Sequence, residues 1–142
     1  MENMRVKLST LWVFATLNYL YADVIALFDL VGSKRATTGN TGPPHMTQGV
    51  LLGIAIFMEI PIAMVVLSRV LKYRANRWAN IIAGTIETAA VVLSTVFFPI
   101  LNGTPPTLYY LFLGTIEVVC TSLIVWYAWK WPKEAGESAV GV

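Results

Sequence analysis

Asp23, Glu59, Glu87 and Glu117 each stand inside a long apolar run that contains no Lys, Arg or His. An ionisable group at the centre of a bilayer costs roughly 2.5–3.5 kcal/mol even on the lenient insertion scale. Acids kept at that cost are expected to face a shared interior, since lipid offers them no partner. Gathered in a low dielectric without fixed cations, they cannot all carry charge. They are expected to be protonated or to share protons unless a cation or amine neutralises them. Three chemistries follow from such a set: binding of a cation or proton, polar glue between helices, or acid–base catalysis.

Their neighbours extend the polar character. Asn80, Gly84, Glu87 and Ser94 recur at helical steps in the third run, as Tyr110, Gly114, Glu117 and Thr121 do in the fourth. The tetrapeptide Gly-Thr-Ile-Glu occurs in both, at Gly84–Glu87 and Gly114–Glu117. Those runs cross in opposite directions, so the match reads either as an inverted repeat or as coincidence in a biased composition. In the second run Glu59 precedes Pro61, whose missing amide frees the carbonyl of Phe57. The pair reads as part of a cation or proton site, or as a structural kink. Asn18 and Tyr19 precede Asp23, and Tyr19 lies four residues from it, so the hydroxyl is expected to reach that acid's site. Gly49 and Gly53 predict a close helix contact, within the chain or across a homodimer.

Other chemistries find no residues. The single histidine, His45, lies between the first two runs beside Pro43 and Pro44. It is out of reach of a midplane metal cluster or a Ser-His-Asp arrangement. There is no Glu-x-x-His motif for a di-iron bundle. Cys120 is alone in an apolar run and reads as a packing residue. No cofactor or metal is expected. The formal net charge of +2 rests on basic residues in short connections and is not a nucleic-acid signal.

The elements that must hold these residues are four spans, about 8–30, 47–68, 78–101 and 105–129. The chain is 56% hydrophobic and 13% charged, against about 25% charged in soluble domains. No Lys or Arg falls between Lys7 and Lys34, Arg35 and Arg69, or Arg77 and Lys130. Each gap is long enough for a spanning helix, which needs about 20 residues. The first run is too long for a signal-peptide core and is read as retained. Gly, Thr, Asn and Pro fill the first connection, 31–46, and Asn102–Pro106 form a tight turn.

The expected fold is all-α: an integral membrane four-helix bundle, antiparallel up-down-up-down. It forms one domain over 1–132, with a disordered polar tail at 133–142. Arg5, Lys7, Arg69, Lys72, Arg74, Arg77, Lys130 and Lys133 collect on one side, and only Lys34 and Arg35 on the other. Positive loops stay inside, so both termini are expected to be cytoplasmic. Trp12, Trp78, Trp126, Trp129 and Trp131 fall at the same inner interface.

Five stretches carry a resemblance: Leu8-Ser9-Thr10-Leu11-Trp12, Asn18-Tyr19-Leu20-Tyr21-Ala22-Asp23, Met58-Glu59-Ile60-Pro61-Ile62-Ala63-Met64, Arg74-Ala75-Asn76-Arg77-Trp78-Ala79-Asn80 and Trp126-Tyr127-Ala128-Trp129. With them the chain resembles an uncharacterised bacterial family of four-helix membrane proteins, a domain of unknown function. The resemblance implies the four-helix topology and a bacterial inner membrane, and no activity. The layout is loosely similar to DoxX-type proteins and to sterol-isomerase-like bundles, an analogy of architecture alone.

The leading functional expectation is a midplane carboxylate-lined site that binds or transports a small cationic or apolar ligand, or protons. Asp23, Glu59, Glu87 and Glu117 would line it, with Asn18, Tyr19, Pro61 and Thr121 beside them. The expected partners are the lipid bilayer, that ligand and a second copy of the chain. One alternative is a structural or assembly subunit whose acids only join helices. The other is a membrane-embedded acid–base enzyme acting on a lipid or isoprenoid, which requires a lipid-sized cavity.

Overall fold

The structure, a computed structural model, describes residues 2–32, 47–101, 103 and 106–132, and the side chains of these except 29–32 and 50. Most of the first connection with His45, the turn residue Pro105 and the expected tail lie outside the described residues.

Backbone polar groups in hydrocarbon must be satisfied within the segment, and a helix does this residue by residue. The apolar runs accordingly form four helices: α1 (Glu2–Gly32), α2 (Gln48–Val70), α3 (Tyr73–Leu101) and α4 (Leu108–Lys130). All four are long and apolar enough to cross a membrane. The expected bounds shift in three places. α1 begins six residues before Leu8, so the basic Arg5 and Lys7 are helical. The second connection shrinks to Leu71 and Lys72, with Lys72 in extended backbone before α3. α4 starts at Leu108 after an extended Thr107.

α2 passes through Pro61 as one helix. α3 changes geometry instead: Tyr73–Val92 is α-helical, Leu93–Phe97 forms a π-helical turn, and Phe98–Leu101 closes the helix. Pro99 gives the reason. It has no amide to offer the carbonyl of Thr95, and its ring crowds that carbonyl, so the preceding turn widens. Gly103 ends the segment at φ 64°, where its lack of a Cβ removes the strain, and its amide donates to the Ile100 carbonyl at 3.1 Å.

The helices alternate in direction. The start of α1 meets the end of α2, where Arg5 donates to the Arg69 carbonyl at 3.4 Å. The start of α3 meets the end of α4, where the Tyr73 hydroxyl donates to the Trp131 carbonyl at 2.8 Å. Both described ends of the chain therefore share one end of the bundle, called here the basic end. α3 packs along α4, and α1 along both α2 and α4, while α2 and α3 make the loosest of these contacts.

The packed core lies in the half nearer the basic end and includes Leu8, Trp12, Met64, Tyr73, Cys120 and Ile124. Cys120 is buried, and its thiol donates to the Leu11 carbonyl at 3.3 Å, in keeping with a packing role. Most other large apolar side chains point outward, such as Phe28, Ile100 and Phe112. In water such a surface would be a contiguous apolar liability; in a bilayer it is the lipid-facing shell.

The tryptophans divide. Trp78, Trp126 and Trp129 are exposed, as an interfacial belt requires. Trp12 and Trp131 do not join them. Trp12 is 0% exposed and Trp131 is buried edge-on against Tyr73. The correction has a physical basis, because the Trp12 indole N–H finds a buried acceptor inside the bundle.

Candidate functional site: an acid-lined cavity in the half away from the basic end

That acceptor is Asn80. The Trp12 indole donates to its Oδ1 at 2.7 Å, and the Ser68 hydroxyl reaches the same oxygen at 3.1 Å. Asn80 donates in turn to the side-chain oxygen of Asn76 at 2.7 Å, and Asn76 donates to the Ser68 carbonyl at 2.6 Å. All four residues are buried. They join α1, α2 and α3 in a closed polar plug across the basic half of the core. The Asn76–Asn80 spacing of one helical turn was the sequence signal for it. Its partners Trp12 and Ser68 carry no such mark.

Beyond the plug, towards the other end of the bundle, the interior opens. A cavity of about 250 Å3 is lined by residues of all four helices, among them Tyr19, Asp23, Phe57, Tyr110, Thr95 and Glu117. Of the acids, Glu117 on α4 lines it and is buried, Asp23 on α1 lines it but is exposed, and Glu87 on α3 is buried without being a lining residue. The Tyr19 hydroxyl donates to Glu87 Oε2 at 3.0 Å, and the Asn18 amide donates to Glu117 Oε1 and the Leu113 carbonyl, each at 3.2 Å. Tyr19 therefore serves Glu87 across the bundle, and not Asp23 one turn along its own helix as the spacing predicts. Glu87 Oε1 is buried without a hydrogen-bond partner among the described residues. Both Asp23 and Glu87 lie within electrostatic reach of Glu117.

Thr121 sits one turn deeper. Its hydroxyl donates to the Glu117 carbonyl at 2.9 Å and meets the Thr88 hydroxyl at 2.7 Å, so it joins α3 to α4 and does not line the cavity. Ser94 lines the cavity but is exposed, and Thr95 takes the buried position expected for it. The π turn holds more residues per turn than an α-helix, which passes the inward position on by one. Pro99 was the sequence signal for that shift.

The two Gly-Thr-Ile-Glu copies meet across the α3–α4 contact. A Cβ on Gly84 would come within 2.8 Å of Val125 Cγ2, and one on Gly114 within 3.0 Å of Thr95 Oγ1. Exchanging each residue for its counterpart in the other copy turns the Gly84–Val125 contact into the Gly114–Thr95 contact. The same exchange swaps Glu87 with Glu117. This one pair of contacts follows the two-fold relation that an inverted repeat requires.

Two expected residues stand apart. Pro61 is buried in α2, away from the cavity lining. Glu59 is exposed on the outer side of α2. The expectation that all four acids face the interior is corrected here: the inward side of α2 is taken by Pro61, Met64 and Ser68, and Glu59 falls opposite them on the helix wheel. Gly49 and Gly53 also point away from the rest of the chain, and no atom beyond their own turn lies within 4 Å of Gly53.

Four apolar helices around a core that is plugged in one half and acid-lined in the other define a small membrane protein. The chain belongs to DUF6326, a family of unknown function whose model matches residues 1–138. That agrees with the resemblance carried by the five sequence stretches. No curated protein and no solved structure matches the chain.

Proposed function

We propose that the chain binds a small organic cation in the cavity between Tyr19, Asp23, Tyr110 and Glu117, as a receptor or as the binding step of transport. The observation that carries this reading is the convergence of Asp23 and Glu117 on one cavity, with Glu87 held behind Tyr19 and one of its oxygens bare. The basic residues of the four helices lie towards the basic end, and none stands within the helices at the depth of these acids to neutralise them. A bound cation would do so, and Tyr19, Phe57 and Tyr110 offer it aromatic faces.

Size narrows the ligand. At about 250 Å3 the cavity lies below the roughly 300–1,000 Å3 of drug-sized pockets. A compact amine fits; the lipid-sized chamber needed by an acid–base enzyme of lipids does not match it. The basic end carries Arg5, Lys7, Arg69, Lys72, Arg74, Arg77 and Lys130. The positive-inside rule therefore favours this end and both termini being cytoplasmic, in the bacterial inner membrane that the family resemblance implies. On that orientation the cavity lies in the periplasmic half.

One observation favours a second reading, the assembly subunit: the Tyr19–Glu87 and Asn18–Glu117 bonds each join two helices, as polar glue would. Glue leaves the Asp23 carboxyl and the bare oxygen of Glu87 without a purpose.

The test is a titration of the purified chain in lipid nanodiscs with tetramethylammonium and benzyltrimethylammonium, read by tryptophan and tyrosine fluorescence. The expected result is saturable binding that Glu117→Gln and Asp23→Asn each weaken at least tenfold, with helicity unchanged. Glu59→Gln, outside the cavity, should bind as the parent does. Absence of saturable binding, or equal binding by both cavity variants, overturns the reading in favour of glue.

A further inference from the structure

Glu59 is the middle residue of α2, and on that helix it faces away from its own bundle. At mid-span this direction is hydrocarbon, where a carboxyl has no hydrogen-bond partner. The residues around it are not arranged at random. Leu52, Ile56, Glu59, Ala63, Val66 and Val70 follow one another at steps of four, three, four, three and four. All are exposed except the half-buried Ala63. Steps of this kind keep a stripe on one side of a helix over its full length and make the seam of a left-handed helix pair. Towards the other end of α2, Gly53 leaves its backbone open, with nothing within 4 Å of the space a Cβ would fill.

We propose that this stripe is the interface of a homodimer in which α2 packs against α2 of a second copy, with Glu59 hydrogen-bonded to Glu59 of that copy. Chemistry and symmetry select this occupant. Every copy crosses the bilayer in the same sense, so a two-fold axis between copies runs along the membrane normal and the two α2 helices are parallel. In such an isologous contact a seam residue meets itself at equal depth. A protonated carboxyl is both donor and acceptor and so is complementary to its own image. The basic residues of a second copy are at the helix ends or in connections, and its spans have none to bring to this depth. A single polar residue at the centre of an apolar seam also fixes register, which an all-apolar stripe would leave free to slide. The site inside the bundle is not involved.

The experiment is disulfide trapping of the full chain in native membranes. Single cysteines replace Leu52, Ile56, Ala63 or Val66, with Leu17→Cys and Phe112→Cys as outward-facing controls on α1 and α4. The parent is a further control, because its Cys120 is buried. The expected result is a cross-linked species of twice the chain mass at the stripe positions and none at the controls. Independently, resonance energy transfer between labelled copies in vesicles should show Glu59→Gln dimerising like the parent. Glu59→Leu should need roughly tenfold more protein per lipid to reach the same transfer. Absence of cross-linking along the stripe, equal cross-linking at the controls, a product of another mass, or a Leu variant that dimerises as well as the parent would each overturn the proposal.

Discussion

Trp12 and Glu87 are both fully enclosed, yet their polar atoms meet different ends. The indole N–H of Trp12 has Asn80, and Asn80 has Asn76 and Ser68, so the plug is satisfied around its whole circuit. Glu87 keeps one oxygen bonded to Tyr19 and one oxygen bare. Trp12→Phe deletes the donor to Asn80 and leaves a small void where the second ring stood. It should destabilise the bundle by about 1–3 kcal/mol, the usual cost of breaking a buried polar pair, read as a lower midpoint in thermal unfolding in detergent. Ser122→Ala, at an exposed position on α4, should leave the midpoint in place. At this scale the sequence marks polar residues out well, because Asp, Glu and Asn in hydrocarbon are conspicuous by cost alone. It does not pair them. Tyr19 could reach Asp23 along its own helix or Glu87 across the bundle, and helix spacing cannot distinguish a partner brought in by a neighbouring helix. Glu59 failed for the same reason: an acid's cost says that it needs company, not which side of the helix the company stands on.

Among the elements, α3 and α4 depend on glycine at their crossing. Gly114 lies against Thr95, and Gly84 against Val125 and the Thr121 backbone, so any larger side chain must push the helices apart. Gly114→Leu should destabilise by about 1–3 kcal/mol through overpacking, and should also weaken cation binding, since Gly114 lines the cavity. Gly49→Leu, by contrast, meets only Thr47 Oγ1 at 4.0 Å and should leave monomer stability unchanged in the same unfolding assay. The four spans were readable because charge gaps and hydropathy report them directly. Their ends were less so. Arg5 and Lys7 read as flanking residues but continue α1, since helix hydrogen bonds do not stop where hydrophobicity does. The π turn was also missed, although Pro99 announces a lost bond to Thr95, because the polar stripe was extrapolated at constant α-helical pitch.

For the whole molecule, the basic end sets the proposed orientation. Seven Lys and Arg residues, from Arg5 to Lys130, collect there. Reporter fusions at either terminus should be active as cytoplasmic reporters and silent as periplasmic ones. Substituting Arg69, Lys72, Arg74 and Arg77 together with Asn should allow a detectable fraction of inverted chains, visible as termini labelled from outside intact cells. Labelling of both termini from outside in the parent would reverse the orientation. The overall architecture was available from the placement of basic residues and hydropathy, since a chain with such long apolar gaps free of Lys and Arg has few other ways to fold. The split of the interior into a plugged half and an open half was not, for it depends on which side chains from four separate helices fill the same slice.

The plug also has an electrical meaning. A membrane voltage falls mainly where dielectric is low, and the packed half that holds Trp12, Asn76 and Asn80 separates the cavity from the basic end. On the proposed orientation, a cation resting beside Asp23 has crossed little of the field, so its affinity should barely respond to membrane potential. Carrying that charge on through the packed half would traverse nearly all of it, about 2.3 kcal/mol for each 100 mV. On the proposed reading, the circuit of Ser68, Asn80 and Asn76, closed over by the Trp12 indole, would act as an insulator between the buried pair Glu87 and Glu117 and the basic end.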